Sequence, residues 1–370
     1  MKKNMWKKGL VLGIIVLFVG ASIIPSMSST SVEKDNPTDD RTAFLGFNTP
    51  GDILYVGGSG PNNYTKIQDA IDDASNGDTV FVYDDSSPYY ENIIINKPLN
   101  LIGENKYTTI IEPSSLKYAQ IIEIISSNVS ISGFTIQNCR QGIFIGYSDN
   151  VYNILISGNI IQNNDYHGIH AGIMYNSNIS NNIITDNIHG NIQLFWASNN
   201  VLYGNTCANS SSQHQFSEFS CGIELFRYCN NNTIQGNTFI NNYFGVWFHE
   251  ECENNIILEN TFENNTAAIM DGAPAQKKSP NVIYSENSLQ PTVVIRNNFK
   301  KNRYNKGFAG WIGFFDTKTS WDKNYWGRTL IFPKIVIGFL LLPIGFFLPG
   351  NFQIDWHPAQ EPYDIPRVAI

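Results

Sequence analysis

Glu224, Arg227, Trp247, His249 and Glu250 fall on two segments, GIELFRYCN from Gly222 and GVWFHEECE from Gly245, whose starts are 23 residues apart. If that spacing is one turn of a stacked coil, the segments run side by side about 4.8 Å apart and these five side chains share one patch. Two carboxylates roughly 5 to 9 Å apart can act as acid and base, or as a nucleophile, on a glycosidic bond. Glu224 and Glu250 are the candidate pair, with His249 as an alternative base for lyase or epimerase chemistry and Arg227 to steady a substrate carboxylate. The same surface also suits binding alone. Phe195, Trp196, Glu224, Phe226, Arg227, Trp247, His249 and Glu250 combine aromatic faces, which stack on sugar CH groups, with groups that hydrogen-bond hydroxyls. A non-catalytic protein binding an extracellular polysaccharide or cell-surface glycan is the preferred expectation. Catalysis by a lyase, hydrolase or epimerase is the alternative, and a structural or adhesive role, with the aromatics serving only the sheet, is the third.

The coil itself comes from a repeated frame: NVSISGFTIQN, NILISGNIIQNN, NSNISNNIITDN, NNVLYGNTCANS, NNTIQGNTFINN, NNIILENTFENN and VVIRNNFKKN. The residue after the central small position is Phe134, Asn159, Asn182, Asn205, Asn237, Asn260 and Asn298, giving steps of 25, 23, 23, 32, 23 and 38. A solenoid with two loop insertions, residues 208–220 and 271–291, accounts for that series, and such loops commonly wall a binding face. Each repeat carries two apolar runs too short for helices. Period-two alternation turns Ile192, Leu194, Ile223, Leu225, Val246 and Phe248 inward. It places Phe144, His170, Gln193, Glu224 and Trp247 in one outward row, Phe195, Phe226 and His249 in the next, and Tyr147, Trp196, Arg227 and Glu250 at the turn. Between Asn150 and Asn265 there are 26 asparagines, more than a surface needs. A turn repeated in every coil would use Asn where the backbone is left-handed and ladder its amides along the axis.

The expected fold is therefore all-β, a single right-handed parallel β-helix of about 23 residues per coil, with a short N-terminal capping α-helix and a C-terminal cap. Residues 1–28, with Lys2, Lys3, Lys7 and Lys8 before the apolar run Gly9–Ile24, read as a signal peptide or signal anchor and imply export. Residues 29–50 read as a linker, 51–113 as the N-terminal cap and first coils, 114–328 as the repeats, and 329–370 as a hydrophobic cap or membrane-contacting segment. Thr65-Lys66-Ile67-Gln68 has the form of a capping box opening IQDAIDDAS, with Gly77 to end the helix. The uncharged stretch from Ile335 raises membrane association, but Pro343, Pro349 and the basic flank from Arg296 to Lys334 favour a folded hairpin.

The formal net charge of −8 opposes nucleic acid as a partner. Scattered His and Met and the absence of a CxxC leave no metal centre, and no cofactor is expected. Cys229 and Cys252 occupy equivalent places in consecutive coils, within disulfide range. Cys207 and Cys221 bracket the first insertion, leaving Cys139 odd; buried free thiols are the competing reading. Of the N-glycosylation sequons, those at Asn63 and Asn209 lie on loops able to accept a glycan.

The opening IQDAIDDASNGDTVFV and YYENIIINKPLNLIGEN, from Ile67 to Pro113, resembles the start of pectin-lyase-like β-helix proteins, including pectin methylesterases. The repeats and NYWG at Asn324–Gly327 resemble NosD-like, CASH-type repeat proteins of archaeal secretomes. The resemblance covers about Gly51 to Gly327 and implies a parallel β-helix and a carbohydrate-related role. It imports no active site. The QDT, DFIFG and LGRPW elements of the esterases and the NTD, DD, GHG and RIK set of polygalacturonases are not present as sets.

Overall fold

The computed structural model describes residues 51–114, 120–147, 150–210, 220–249, 252–271, 293–302, 304–309, 320–330, 332–341 and 347–365. The expected signal segment and linker lie outside these residues, as do both insertions over 211–219 and 272–292. The described chain is a right-handed parallel β-helix. Three strands make a coil where the sequence had suggested two. In one coil they are Gly190–Phe195, Val201–Tyr203 and Thr206–Ala208. The first two kinds of strand form one 22-stranded sheet and the third a 9-stranded sheet. The run read as one strand divides because a residue in the left-handed region, then a buried asparagine, turns the chain midway.

That corner shows two separate uses of asparagine. Positive φ falls on Gly158, Asn181, Gly204 and Gly236, then on Glu259, Arg296 and Lys323. The following residue, Asn159, Asn182, Asn205, Asn237, Asn260, Asn297 or Asn324, is fully buried. From Asn159 to Asn297, its backbone N–H and its Nδ2 both donate to Oδ1 of the equivalent residue one coil on. Asn205 does so to Asn237 at 2.8 and 3.0 Å, while its Nδ2 also reaches the Ile179 carbonyl at 2.7 Å. Stacking therefore satisfies the amides of this ladder as it buries them, the condition under which buried polar groups stabilise a fold. The last repeat had been placed one residue late: Asn297, not Asn298, continues the ladder. Further ladders run through Ser177, Asn200, Asn232 and Asn255 at the first corner and Ser210, Asn242, Asn265 and Asn302 at the third.

Inside the coils, the six residues assigned inward by alternation are buried, with Phe248 the most exposed at 2%. Phe239, Phe262, Phe299 and Trp326 form a stacked aromatic column, with centroids 4.9, 5.1 and 4.6 Å apart.

Both ends are covered. Helix α1, Ile67–Asp73, buries Ile67, Ala70 and Ile71 over the first coil. The capping box does not form, since Lys66 is the N-cap and no side chain caps locally. Glu91 instead accepts from the N–H groups of Ile67 and Gln68, at 2.8 and 3.0 Å. The helix ends at Ala74, before Gly77, and Lys97 Nζ donates to the Asp72 and Ala74 carbonyls. At the other end Lys334–Leu341 and Phe347–Asp355 pair as an antiparallel hairpin, and its first strand adds in parallel to Tyr304–Ala309. Asp355, fully buried, accepts at Oδ2 from Asn324 N, Asn324 Nδ2 and Trp326 Nε1. A carboxylate has no hydrogen to pass on, so it ends the asparagine ladder. No helix among the described residues is long and apolar enough to cross a membrane.

The Cys229–Cys252 disulfide is not formed. The Cys229 thiol donates to the Leu194 carbonyl at 3.4 Å and that of Cys252 to the Leu225 carbonyl at 3.5 Å. Each sulfur is engaged by the backbone of the coil before it rather than by the other. Cys207 and Cys221 are also buried thiols, and burial pushes both well above the ordinary thiol range.

Candidate functional site

Cross-coil registration places the expected outward row as read from the sequence: Phe144, His170, Gln193, Glu224 and Trp247 are successive partners. Phe195 and Phe226 likewise pair in the next row. Outward, however, is not the same as exposed. Trp247 is 3% exposed, Glu224 7% and His249 8%. Trp247 belongs to a second apolar cluster on the outside of the coil, with Cys221, Phe244, Ala267 and Met270. It is therefore covered, contrary to the expectation that it offers a stacking face. Glu250 lies outside the described residues, so the Glu224–Glu250 separation has no geometry here.

What remains open is an aromatic shelf at the ends of the strands Gln141–Ile145, Gly190–Phe195 and Cys221–Phe226. Phe195 and Phe226, half-buried, stack with centroids 5.5 Å apart and planes 19° apart. Tyr147 meets Phe195 edge-on at 5.1 Å and Trp196 leans on it at 4.8 Å. The Arg227 guanidinium lies 5.4 Å from the Phe226 centroid. Tyr147 and Trp196 are 43% and 39% exposed, and Arg227 is exposed. Trp196, Arg227 and Tyr228 have φ of 53°, 58° and 49°. Bulky side chains rarely adopt this region, and the fold fills most of its other left-handed corners with Asn or Gly.

Beneath the shelf is a polar layer that sequence reasoning identified only in part. Glu224 accepts from Gln193 Nε2 at 2.6 Å and lies 2.6 Å from His249 Nε2 and 4.0 Å from His167 Nε2. The carboxylate read as a free acid or nucleophile is thus engaged on both oxygens. His249 also stacks on Trp247 at 4.1 Å and abuts Phe226 at 4.3 Å. His170 is bracketed by Gln141 Nε2, 2.8 Å from its Nδ1, and by the Tyr147 hydroxyl at its Nε2. In the tautomer whose Nδ1 accepts from Gln141, Nε2–H donates to Tyr147 and leaves the phenol hydrogen directed away from the imidazole. Burial holds His170 down at about 4, with Glu224 opposing and Arg140 adding to the effect. Burial, then His170, His189 and Arg140, holds His167 well below the usual imidazole range. Burial and the Glu224 charge raise the Tyr147 phenol. His167 and His170, spaced i and i+3 on one strand, point to opposite faces in an ideal pleat, and so alternation gave no signal that they would belong to one layer. Among the described residues no three of His, Cys, Asp and Glu converge to hold a metal ion.

A 100-residue segment is 41% identical to a cell surface glycoprotein of Methanothermus fervidus, covering 27% of this chain and 16% of that protein. The chain thus matches less than a fifth of that relative's length. Among solved structures, an alginate lyase from Paenibacillus sp. aligns at 13% identity, covering 70% of this chain and 91% of the other with a TM-score of 0.45. Pectate lyase Pel9A aligns at 12% identity over 75% and 80%, with a TM-score of 0.47. Residues 120–299 match the family described as a right handed beta helix region.

Proposed function

We propose that this is an exported cell-surface β-helix protein that binds polysaccharide on the shelf of Tyr147, Phe195, Trp196, Phe226 and Arg227, without turning it over. The observation that carries this reading is the combination of stacked, partly exposed rings with three bulky residues in left-handed backbone at the same place. Strain of that kind persists where the surrounding structure enforces it, and it is concentrated at functional surfaces. Relatedness to a cell surface glycoprotein supports the location. Retention on immobilised polysaccharides, compared between the parent and Trp196→Ala/Arg227→Ala, tests the reading. Loss of retention with an unchanged circular dichroism spectrum supports it, and equal retention by both proteins refutes it. Trp247 is unsuitable for this test, because truncating a buried ring costs about 3 to 5 kcal/mol of stability.

The Tyr147–His170 contact favours catalysis as the second reading. A tyrosine hydroxyl held by a neutral imidazole beside a sugar shelf is a proton donor or acceptor for lyase or epimerase chemistry. Unsaturated uronates or epimerised product, formed by the parent and not by Tyr147→Phe, would establish it.

A further inference from the structure

The second strand of each coil presents two outward rows, in register with Val201 and with Tyr203. From Ile53 and Tyr55 to Val293 and Ile295 they run through ten coils, hence 20 positions (ten times two), and none carries a charge. Eighteen of the 20 are half-buried or exposed, Ser130 and Ser180 being the two buried ones. In a chain with 32 acidic and 24 basic residues, so long an uncharged outer strip, with 11 of its 20 positions aliphatic or aromatic, is suited to burial against another surface. It is a different face from the sugar shelf, which lies on the first strands.

Its relief is self-complementary. Tyr203, 39% exposed, stands against the bare Gly236 corner. Along the same row the preceding three coils carry only Ser132, Ser157 and Ser180. A two-fold axis along the strand direction, through the Asn178–Ser180 coil, sets coils in reverse order while keeping each row opposite itself. Tyr203 of each copy then faces Ser157 of the other, and Val201 faces Leu155. That coil is the sixth of eleven when the strand Ser320–Asp322 is counted, so the whole strip overlaps; the eleventh coil ends the uncharged run, placing Asp322 in the Tyr203 row opposite the partner's Tyr55. At about 4.8 Å per coil and about 3.3 Å per residue, with flanking turns included, each copy contributes on the order of 600 Å². The total, about 1,200 Å², reaches the lower end of specific interfaces.

We infer that this strip is the interface of an isologous, antiparallel dimer of the chain, Tyr203 seating in the partner's serine trough. The occupant is a second copy rather than a sugar because the relief of the strip matches itself under the two-fold and its 20 described positions carry no charged group to anchor a ligand. Light-scattering mass of the full chain, from about 1 to about 100 µM, spans the range such a small interface requires. The parent is expected at twice 41.6 kDa. Tyr203→Glu is expected at the monomer mass. Tyr152→Glu, which replaces a tyrosine of equal exposure, 38%, outside the two rows, should remain dimeric. Adding Ser157→Lys to Tyr203→Glu places opposite charges across the interface twice and restores the dimer, which a merely misfolded variant would not do. A monomeric parent, an unchanged Tyr203→Glu mass, or failure of the double variant to recover overturns the assignment. Because polysaccharide retention is read on the other face, loss of either property leaves the other measurable.

Discussion

Single residues carry the clearest signs of function, because at the shelf they depart from what folding alone would select. Trp196 sits in left-handed backbone, a conformation that Asn or Gly supplies at most other corners of the fold. Such a conformation costs an ordinary L-residue about 1 to 2 kcal/mol, and Asn tolerates it best after Gly. Trp196→Asn is therefore expected to raise the unfolding free energy by about 1 kcal/mol while cutting polysaccharide retention at least tenfold. Denaturant midpoints and column retention measured on the same sample check both. A simple loss of stability would show that the indole is there for packing. His170 offers a second handle, through pH. Its folded value of about 4 lies below the roughly 6.5 of an unfolded histidine. Between the two, the unfolded chain binds more protons, so stability is complete above about pH 6.5 and falls as the pH drops towards 4. The loss attributable to this imidazole is on the order of 3 kcal/mol, and His167, also held down by burial, adds to it. Urea midpoints between pH 7 and pH 5 should slope downward in the parent and less steeply in His170→Gln.

At the scale of the element, one residue type does two jobs. Asn181 supplies left-handed backbone, while its neighbour Asn182 bonds up and down the stack. Replacing Asn237, in the middle of the ladder, by Ala strands the Asn205 donors and the Leu202 carbonyl. Unsatisfied buried groups cost about 1 to 3 kcal/mol each, so thermal melting should show a loss of several kcal/mol, whereas Asn181→Gly stays within about 1 kcal/mol. The coil repeat, the inward set and the cross-coil rows were readable because 23-residue spacing and two-residue alternation are local properties of the chain. The division of roles between Asn181 and Asn182 was not, since both positions show the same letter and only the corner geometry separates them. Capping of α1 was hidden for a related reason. Its acceptor, Glu91, is 24 residues from Ile67, and the local Thr65 and Gln68 imitate a box that is not built. The burial of Trp247, Glu224 and His249 was equally illegible. Alternation reports the side of a strand, not what lies over it. Glu91→Ala is expected to cost about 1 to 2 kcal/mol, as for other lost helix caps, read as a drop in melting temperature.

For the whole stack, each coil is stabilised mainly by its two neighbours, so damage should spread from an end rather than through the molecule at once. The ladder has a direction, each asparagine donating forward, and its forward terminus is Asp355 on the capping hairpin. Trp326, at the foot of the aromatic column, donates to the same oxygen. One buried carboxylate thus joins the hairpin, the ladder and the column. Asp355→Ala removes an acceptor shared by three buried N–H groups while touching no residue of the shelf. Hydrogen exchange should then lose protection at Asn324 first and Asn297 next, decreasing towards Asn260, with Asn159 and Asn182 unchanged. Uniform loss of protection along all coils would instead mean that the stack unfolds as a single cooperative unit and that the hairpin secures the entire fold. Retention on polysaccharide distinguishes the same two cases independently. The shelf lies between Gln141 and Arg227, several coils from the hairpin, so with graded fraying it keeps its affinity, and with all-or-none unfolding it loses affinity in step with the amides.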